Sequence, residues 1–551
     1  MPRESTRLEA LRGEAPLNRK FLVDSMEILP WKRHESPALM LIFNVYFHTL
    51  LPQIFPSLSS ADRVGRTNGK SPPAVNGATI APLFRAQESC MTPSPRPSAR
   101  VPSRPAELSA LVRLALPAVA TQLAQMGMGV LDTVMAGRVS AEDLAGVALG
   151  GNVIWPTMLL LMGVLMALTP NIAQLRGEGR RDAVGPLVHQ GFWMALLLGG
   201  LILLLIDQAP KLYHLLGADP KVIPYAERYL DAARWGLPGI MFYFVGRYLC
   251  DGMGDTRPAM YVAVFALGLK GLLNWVFIFG HWGAPALGGA GCGVAMAITM
   301  WFEAAAMLWL LGRLPAVRGT NLFTRPRGPA WGTLSQLLRL GMPIGLASFF
   351  EMAAFSLVTL LVARFGATAV AAQQIAFSVN GIIFMLPMGL GIAATIRIGH
   401  ALGEGRPEAA RRAAEVAIAA AVGVGIAAAL ILLGAREGIA RLYTREGDVA
   451  LLSATLLLFV AVYIIVDSAQ ATAMGALRGY KDTRGPMLIA FGGYWLFALP
   501  LGTALGLGWV PGIETLGVYG FWIGLSLGLA LVAGGLLWRL LRRSHRATLP
   551  T

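Results

Sequence analysis

Charge is scarce in this chain. Charged residues make up 14% of the sequence, against about 25% in a typical soluble chain. Hydrophobic residues reach 55%, the signature of segments that sit in lipid. Cysteine is almost missing: Cys90, Cys250 and Cys292 offer no disulfide framework and no metal-ligand spacing. The motif His-Glu-x-x-His is absent, and the seven histidines are scattered. These absences disfavour an intramembrane enzyme and leave no cofactor to expect. The run from Gly65 to Ser71 is one residue short of a phosphate-binding loop, follows no strand and runs into Pro72-Pro73, which excludes that reading. No aromatic-interleaved basic patch accompanies the net charge of +15, so nucleic acid is not an expected partner.

Apolar spans fill the chain from Leu108 onward. Twelve are predicted, centred near Gln122, Leu160, Leu197, Ile240, Gly268, Ala297, Phe350, Ile383, Val422, Tyr463, Leu496 and Leu527. The 64 glycines suit helices that pack closely in lipid. Prolines within or near the spans, among them Pro117, Pro156, Pro343 and Pro387, are tolerated there and mark kinks. Basic residues gather in alternate loops, at Arg176 to Arg181, Arg257, Arg313 to Arg327, Arg406 to Arg412, Arg478 to Arg484 and the tail beyond Arg539. By the positive-inside rule both termini are cytoplasmic. The first hundred residues differ. A Ser-, Pro-, Arg- and Gly-rich stretch, 57–105, has a disordered composition, and the apolar run 38–55 is short and interrupted. Residues 1–90 are expected to be an extension of no transport importance.

The chain repeats itself. Leu-Val-Arg113-Leu-Ala-Leu-Pro117 returns as Leu-Leu-Arg339-Leu-Gly-Met-Pro343, Arg138 as Arg364, and Gly177-Glu-Gly-Arg180 as Gly403-Glu-Gly-Arg406, each 226 residues on. Asp255-Thr-Arg257 returns as Asp482-Thr-Arg484 after 227. Two six-span halves follow, inserted the same way up and related by an axis along the membrane normal. The expected division is an extension over 1–105, a first lobe over 106–315, a linker over 316–332, a second lobe over 333–543 and a tail over 544–551.

Few charges interrupt the spans. Glu351 is the one charge between Arg339 and Arg364. It lies about 18 Å from the cytoplasmic end at 1.5 Å per residue. Asp467, the one charge between Asp448 and Arg478, lies about 17 Å deep on a span running the other way. A carboxylate at that depth is costly and marks an ion or substrate site by default, the alternative being a protonated helix-packing residue. Two such acids at one level cannot both stay ionised without a cation or proton. Tyr463, one turn before Asp467, can add an oxygen ligand, which favours sodium. In the first half, Asp132 lies about 28 Å up, Lys270 about 20 Å and Glu303 about 15 Å. Lys270 and Glu303 are expected to pair as structural intramembrane charges. Asp132, nearer the outer surface, can equally be structural.

The stretches Val-Leu-Asp132-Thr-Val-Met-Ala-Gly137, Phe-Phe-Glu351-Met and Asp467 to Thr483 resemble signatures of the multidrug and toxic compound extrusion family, closest to its bacterial NorM-type branch. So do Leu-Asn274-Trp-Val-Phe-Ile-Phe-Gly280 and the glycine-rich run around Cys292. The resemblance covers about Leu108 to Arg543. It implies an all-α membrane protein with twelve helices in two six-helix lobes. It also implies a monomer in the lipid bilayer of a bacterial inner membrane that exports small organic cations and other drugs against sodium ions or protons. Cation-site roles are implied for Glu351, Asp467 and Tyr463, and secondary coupling or drug-cleft roles for Asp132 and Asn274. Any metal ion would be sodium at Glu351 and Asp467. Where many relatives carry a second asparagine, this chain has Lys270, which disfavours a first-lobe sodium site. A flippase for a lipid-linked sugar shares the two-lobe plan and is the alternative. It would be expected to hold more basic residues in the first lobe.

Overall fold

The computed structural model describes residues 101–215, 219–323, 326–509 and 514–548. Residues 1–100 of the expected extension, with its apolar run 38–55 and Cys90, lie outside the described residues, and its last two residues, 104 and 105, open the first helix. Among those described, eleven helices are long and apolar enough to cross a membrane. With one more polar helix they are, in chain order, α1 (Arg104–Ala136), α2 (Ala141–Gly177), α3 (Arg181–Ile206), α4 (Leu237–Gly252), α5 (Arg257–Phe279) and α6 (Gly289–Arg313) of the first lobe. The second lobe holds α7 (Trp331–Phe365), α8 (Ala367–Gly403), α9 (Pro407–Tyr443), α10 (Gly447–Gly479), α11 (Arg484–Gly506) and α12 (Val518–Thr548). The protein is an all-α membrane protein with six helices in each lobe, and each expected span centre falls in one of these helices. α4 continues the helix Ile223–Ala233 through a 3-10 turn, Arg234–Gly236. Buried Arg247 and Asp251 set it apart from the apolar eleven.

Local chemistry sets the helix ends. The Ser140 hydroxyl accepts from the Asp143 amide at 2.9 Å and caps α2. Gly280, at φ 75°, closes α5 in the left-handed region. Pro117 and Pro343, repeat partners, sit inside α1 and α7. The carbonyl of Pro117 accepts from Thr121 Oγ1 at 2.9 Å.

The repeat holds in space. In the loop after α2, Arg180 pairs with Glu178 at 3.3 Å, and after α8 Arg406 pairs with Glu404 at 3.1 Å. Gly254 and Lys481, 227 residues apart, both take positive φ, 70° and 57°. The lobes meet through symmetric pairs of glycine contacts. A Cβ on Gly163 of α2 would meet the backbone of Gly345 on α7, and one on Gly389 of α8 would meet Val119 and the Ala115 carbonyl on α1. Residues 163 and 389 are 226 apart, as are 119 and 345. Gly177 and Gly403, themselves repeat partners, touch across the junction, where a Cβ on either would come within 2.9 Å of the other's Cα. Small residues at such crossings let helices in lipid approach closely. Polar links reinforce the junction. Arg397 takes Glu107 in a two-pronged pair at 2.8 Å, Gln174 Nε2 donates to the Gly479 carbonyl at 3.3 Å, and His400 Nε2 meets the Gly252 carbonyl at 2.8 Å. All of these lie toward the end of the bundle that carries the basic loops.

Candidate functional site

The second lobe gathers oxygen atoms. Glu351 on α7 is half-buried, and its Oε1 accepts a hydrogen bond from the Tyr494 hydroxyl of α11 at 3.0 Å. Asp467 on α10 is 2% exposed and lies within electrostatic reach of Glu351, Tyr463 and Tyr494. Its Oδ1, the Tyr463 hydroxyl and the Asn380 Oδ1 of α8 are buried without a hydrogen-bond partner. No ion pair joins either acid to a base among the described residues. Arg478 is the cation that reaches Glu351 electrostatically, and its guanidinium instead contacts the Met166 sulfur at 3.2 Å. An aromatic box encloses the cluster. Phe355 lies 6.3 Å from Tyr463 and 6.4 Å from Tyr494 between ring centroids, and Trp522 packs on Tyr463 at 6.1 Å. Buried oxygens without donors are costly, and this set offers negative charge and lone pairs together, which suits a hard cation or a proton.

The first lobe answers the same problem internally. Asp132 is buried at the far end of α1, and its Oδ2 takes the Lys270 ammonium of α5 at 3.0 Å. Its Oδ1 accepts from Asn274 Nδ2 at 2.8 Å. Lys270 also donates to the Cys292 carbonyl at 3.5 Å. The expected pairing of Lys270 with Glu303 is therefore corrected: the lysine belongs to Asp132. Lys270 and Asn274 are four residues apart and share one face of α5. That face meets α1, so both side chains reach one carboxylate. Counting depth along each helix ignores which face a residue presents. Glu303 on α6 is 2% exposed and its Oε1 has no hydrogen-bond partner, while Arg247 and Lys270 act on it from a distance.

Several participants escaped the sequence reading. Tyr494 lies ten residues from Arg484, about 15 Å deep at helical rise, level with both acids. It sits in a π-helical stretch, Gly492–Ala498, a feature common at functional sites. The same depth count would have found it, since Gly-Gly-Tyr494-Trp495 interrupts an apolar span. Trp495 Nε1 donates to the Phe350 carbonyl at 3.0 Å and ties α11 to α7 beside Glu351. Arg247 was also missed. It reaches Asp251 at 3.9 Å and donates to Gln122 Oε1 at 2.6 Å, and Gln122 in turn contacts the Met388 sulfur of the second lobe at 3.4 Å. Their spacing of four on a buried helix was the available signal. Cys250 and Cys292 are free and buried.

Two repeat-related six-helix lobes holding acids at membrane depth are a plan found among membrane transporters. The MatE family model matches the chain twice, over residues 117–276 and 343–504, so the two matches start in the repeat register. The multidrug resistance protein MdtK of Yersinia pestis (strain Pestoides F) is 41% identical over 428 residues, covering 78% of this chain and 93% of that relative. Among solved structures, the eukaryotic MATE transporter AtDTX14 superposes with a TM-score of 0.73 at 19% identity, over 81% of this chain and 98% of that one. The bent form of the Vibrio cholerae MATE transporter VcmN gives 0.72 at 18% identity, over 81% and 98%. The chain belongs to the MatE family.

Proposed function

We propose that this protein exports organic cations of drug type by antiport, exchanging them for an entering sodium ion or proton. The observation that carries the reading is the oxygen cluster of Glu351, Asp467, Tyr463, Tyr494 and Asn380, which holds two acids and no paired base. A cation there would offset one of the two negative charges, relieve their repulsion and draw α7 and α10 together. An antiporter needs its ion and its drug to prefer different conformations, so the ion must bind one state better. A cluster spread over four helices gives the ion such a grip, worth about 1–3 kcal/mol in the usual range. The drug would sit between the lobes, against apolar, aromatic and Met side chains that adapt to varied shapes. The relative named above as a multidrug resistance protein supports this substrate class.

The interlobe contacts gather at the basic end. With that end in the cytoplasm of a bacterial inner membrane, and both termini there, the cleft opens outward in this conformation. Sodium is favoured over the proton because every orphaned group in the cluster is an oxygen. Lys270 counts against the sugar-lipid flippase, because Asp132 already takes its charge and leaves it unavailable to a pyrophosphate. The test is drug efflux from proteoliposomes under an imposed sodium gradient and, separately, a proton gradient. One gradient should drive efflux. Efflux indifferent to both would remove antiport from consideration.

A further inference from the structure

A second polar site lies well away from the acids, at the basic end and on the lobe junction. A cavity of about 310 Å³ opens there, at the small end of the about 300–1,000 Å³ usual for ligand pockets. Arg113 and Ser109 of α1 and Arg176 of α2 line it from the first lobe, and Arg397 and His400 of α8 from the second. Three arginines thus line one space, and no acidic residue is among its described lining residues. Arg397 is held by Glu107 in the two-pronged pair described above. Arg113 and Arg176 have no ion pair among the described residues. Asp255 and Glu404 act on Arg176 electrostatically, but Glu404 is engaged by Arg406 at 3.1 Å. Gly254, at φ +70°, completes the wall, and a side chain there would run into the Arg176 guanidinium and the His400 ring.

Positive-inside topology explains arginines in loops. It does not explain two half-buried arginines, Arg176 and Arg397, that line a shared cavity. The repeat does not explain them either. Register 226 places Leu402 opposite Arg176 and Asn171 opposite Arg397, so the cluster exists once and was not inherited by duplication. Like charges held together repel unless an anion sits among them. Planar guanidinium forks suit phosphate oxygens above other anions.

We propose that this cavity binds a phosphate group, from a phospholipid headgroup at the cytoplasmic leaflet or from a free phosphate compound, and that the bound group clamps the two lobes together. Arg113 and Arg176 come from one lobe and Arg397 from the other, so the complete site exists only while the basic end is closed. A phosphate then favours this conformation by its differential affinity. Binding stands apart from the transport reading, and the experiment reads binding and lobe distance rather than efflux.

The purified full chain is titrated with inorganic phosphate by calorimetry. In parallel it is reconstituted into nanodiscs of zwitterionic lipid alone or with phosphatidylglycerol. Spin labels at exposed positions on each lobe then report the population closed at the basic end. The comparison variant is Arg113→Gln with Arg176→Gln, which spares the Glu107–Arg397 pair. The control, Arg318→Gln with Arg543→Gln, removes equal charge from exposed positions. Phosphate or phosphatidylglycerol should raise the closed-to-open ratio about tenfold in the wild type and control, within the usual coupling range, and not in the comparison variant. A response to phosphate alone assigns a soluble ligand, and one to phosphatidylglycerol alone assigns a lipid. Equal responses in the two variants, or no response in the wild type, overturn the proposal.

Discussion

The two lobes descend from one repeat and solve the problem of intramembrane acids in opposite ways. In the first, Asp132 carries its own cation: Lys270 sits 3.0 Å away and Asn274 completes the shell. In the second, Glu351 and Asp467 have hydroxyls and amides around them but no paired base among the described residues, and three oxygen or hydroxyl groups are left over. A buried acid with a fixed ammonium is complete, and removing either partner leaves an uncompensated charge. A buried acid pair without one is incomplete and takes up a mobile positive charge or a proton. Under the antiport proposal, coupling to an external ion is assigned to the second lobe, while Asp132 of the first lobe already holds its own cation.

The largest expected effect breaks the second lobe. Glu351→Gln and Asp467→Asn keep the side-chain shapes and remove the charges. Each should reduce ion-driven efflux to background while the protein inserts normally. Efflux is measured in proteoliposomes at matched protein levels. Wild-type rates in both variants would leave the cluster without a coupling role. The comparison then predicts a milder loss for Asp132→Asn, because Lys270 is left without its partner but no ion site is removed.

A second effect, on stability rather than transport, breaks the first lobe. Lys270→Ala leaves Asp132 buried beside Asn274 alone, at a cost of about 3–5 kcal/mol. Thermal unfolding of purified protein should show the loss. Adding Asp132→Asn should recover part of it, and adding Glu303→Ala should not. Recovery with Glu303→Ala instead would mean that the lysine turns between two acids in the membrane.

These contrasts show what the sequence could and could not convey. Span count, repeat register and the depth of Glu351 and Asp467 are one-dimensional properties, set by runs of apolar residues and by counting from the nearest arginine. They survive folding because a helix in lipid has little freedom but to cross. Pairing is two-dimensional. Whether Lys270 meets Asp132 or Glu303 depends on which helix faces which, and depth alone chose the wrong acid. Tyr494 was at the right depth but carries no charge, so a search for isolated charges passed over it. Asn380 was missed for the same reason. Arg247 and Asp251 lowered the hydropathy of α4 without breaking the span, so the segment was counted and its charges were not. The arginine cavity was invisible because Arg113, Arg176 and Arg397 lie far apart in the chain and none is the repeat partner of another.

The smallest expected effect is the sharpest form of the comparison, because it makes the same chemical change in each lobe. Tyr494 donates to Glu351 at 3.0 Å, and Asn274 donates to Asp132 at 2.8 Å. Tyr494→Phe and Asn274→Leu each delete one neutral donor to one carboxylate with little change in volume. Hydrogen bonds to charged groups contribute about 1.5–3 kcal/mol, so the two losses are comparable in size. Their readouts should differ. Without Tyr494 the Glu351 carboxylate loses a hydrogen-bond donor and the orientation it fixes, so the coupling ion should bind more weakly. The ion concentration for half-maximal efflux should rise about tenfold, which corresponds to about 1.4 kcal/mol. Without Asn274, Asp132 still holds Lys270, so that concentration should stay where it was and only the unfolding temperature should fall. Half-maximal ion concentration and unfolding temperature are measured on the same two preparations. An equal shift in ion dependence from Asn274→Leu would place part of the coupling in the first lobe and end the division of labour between the two halves.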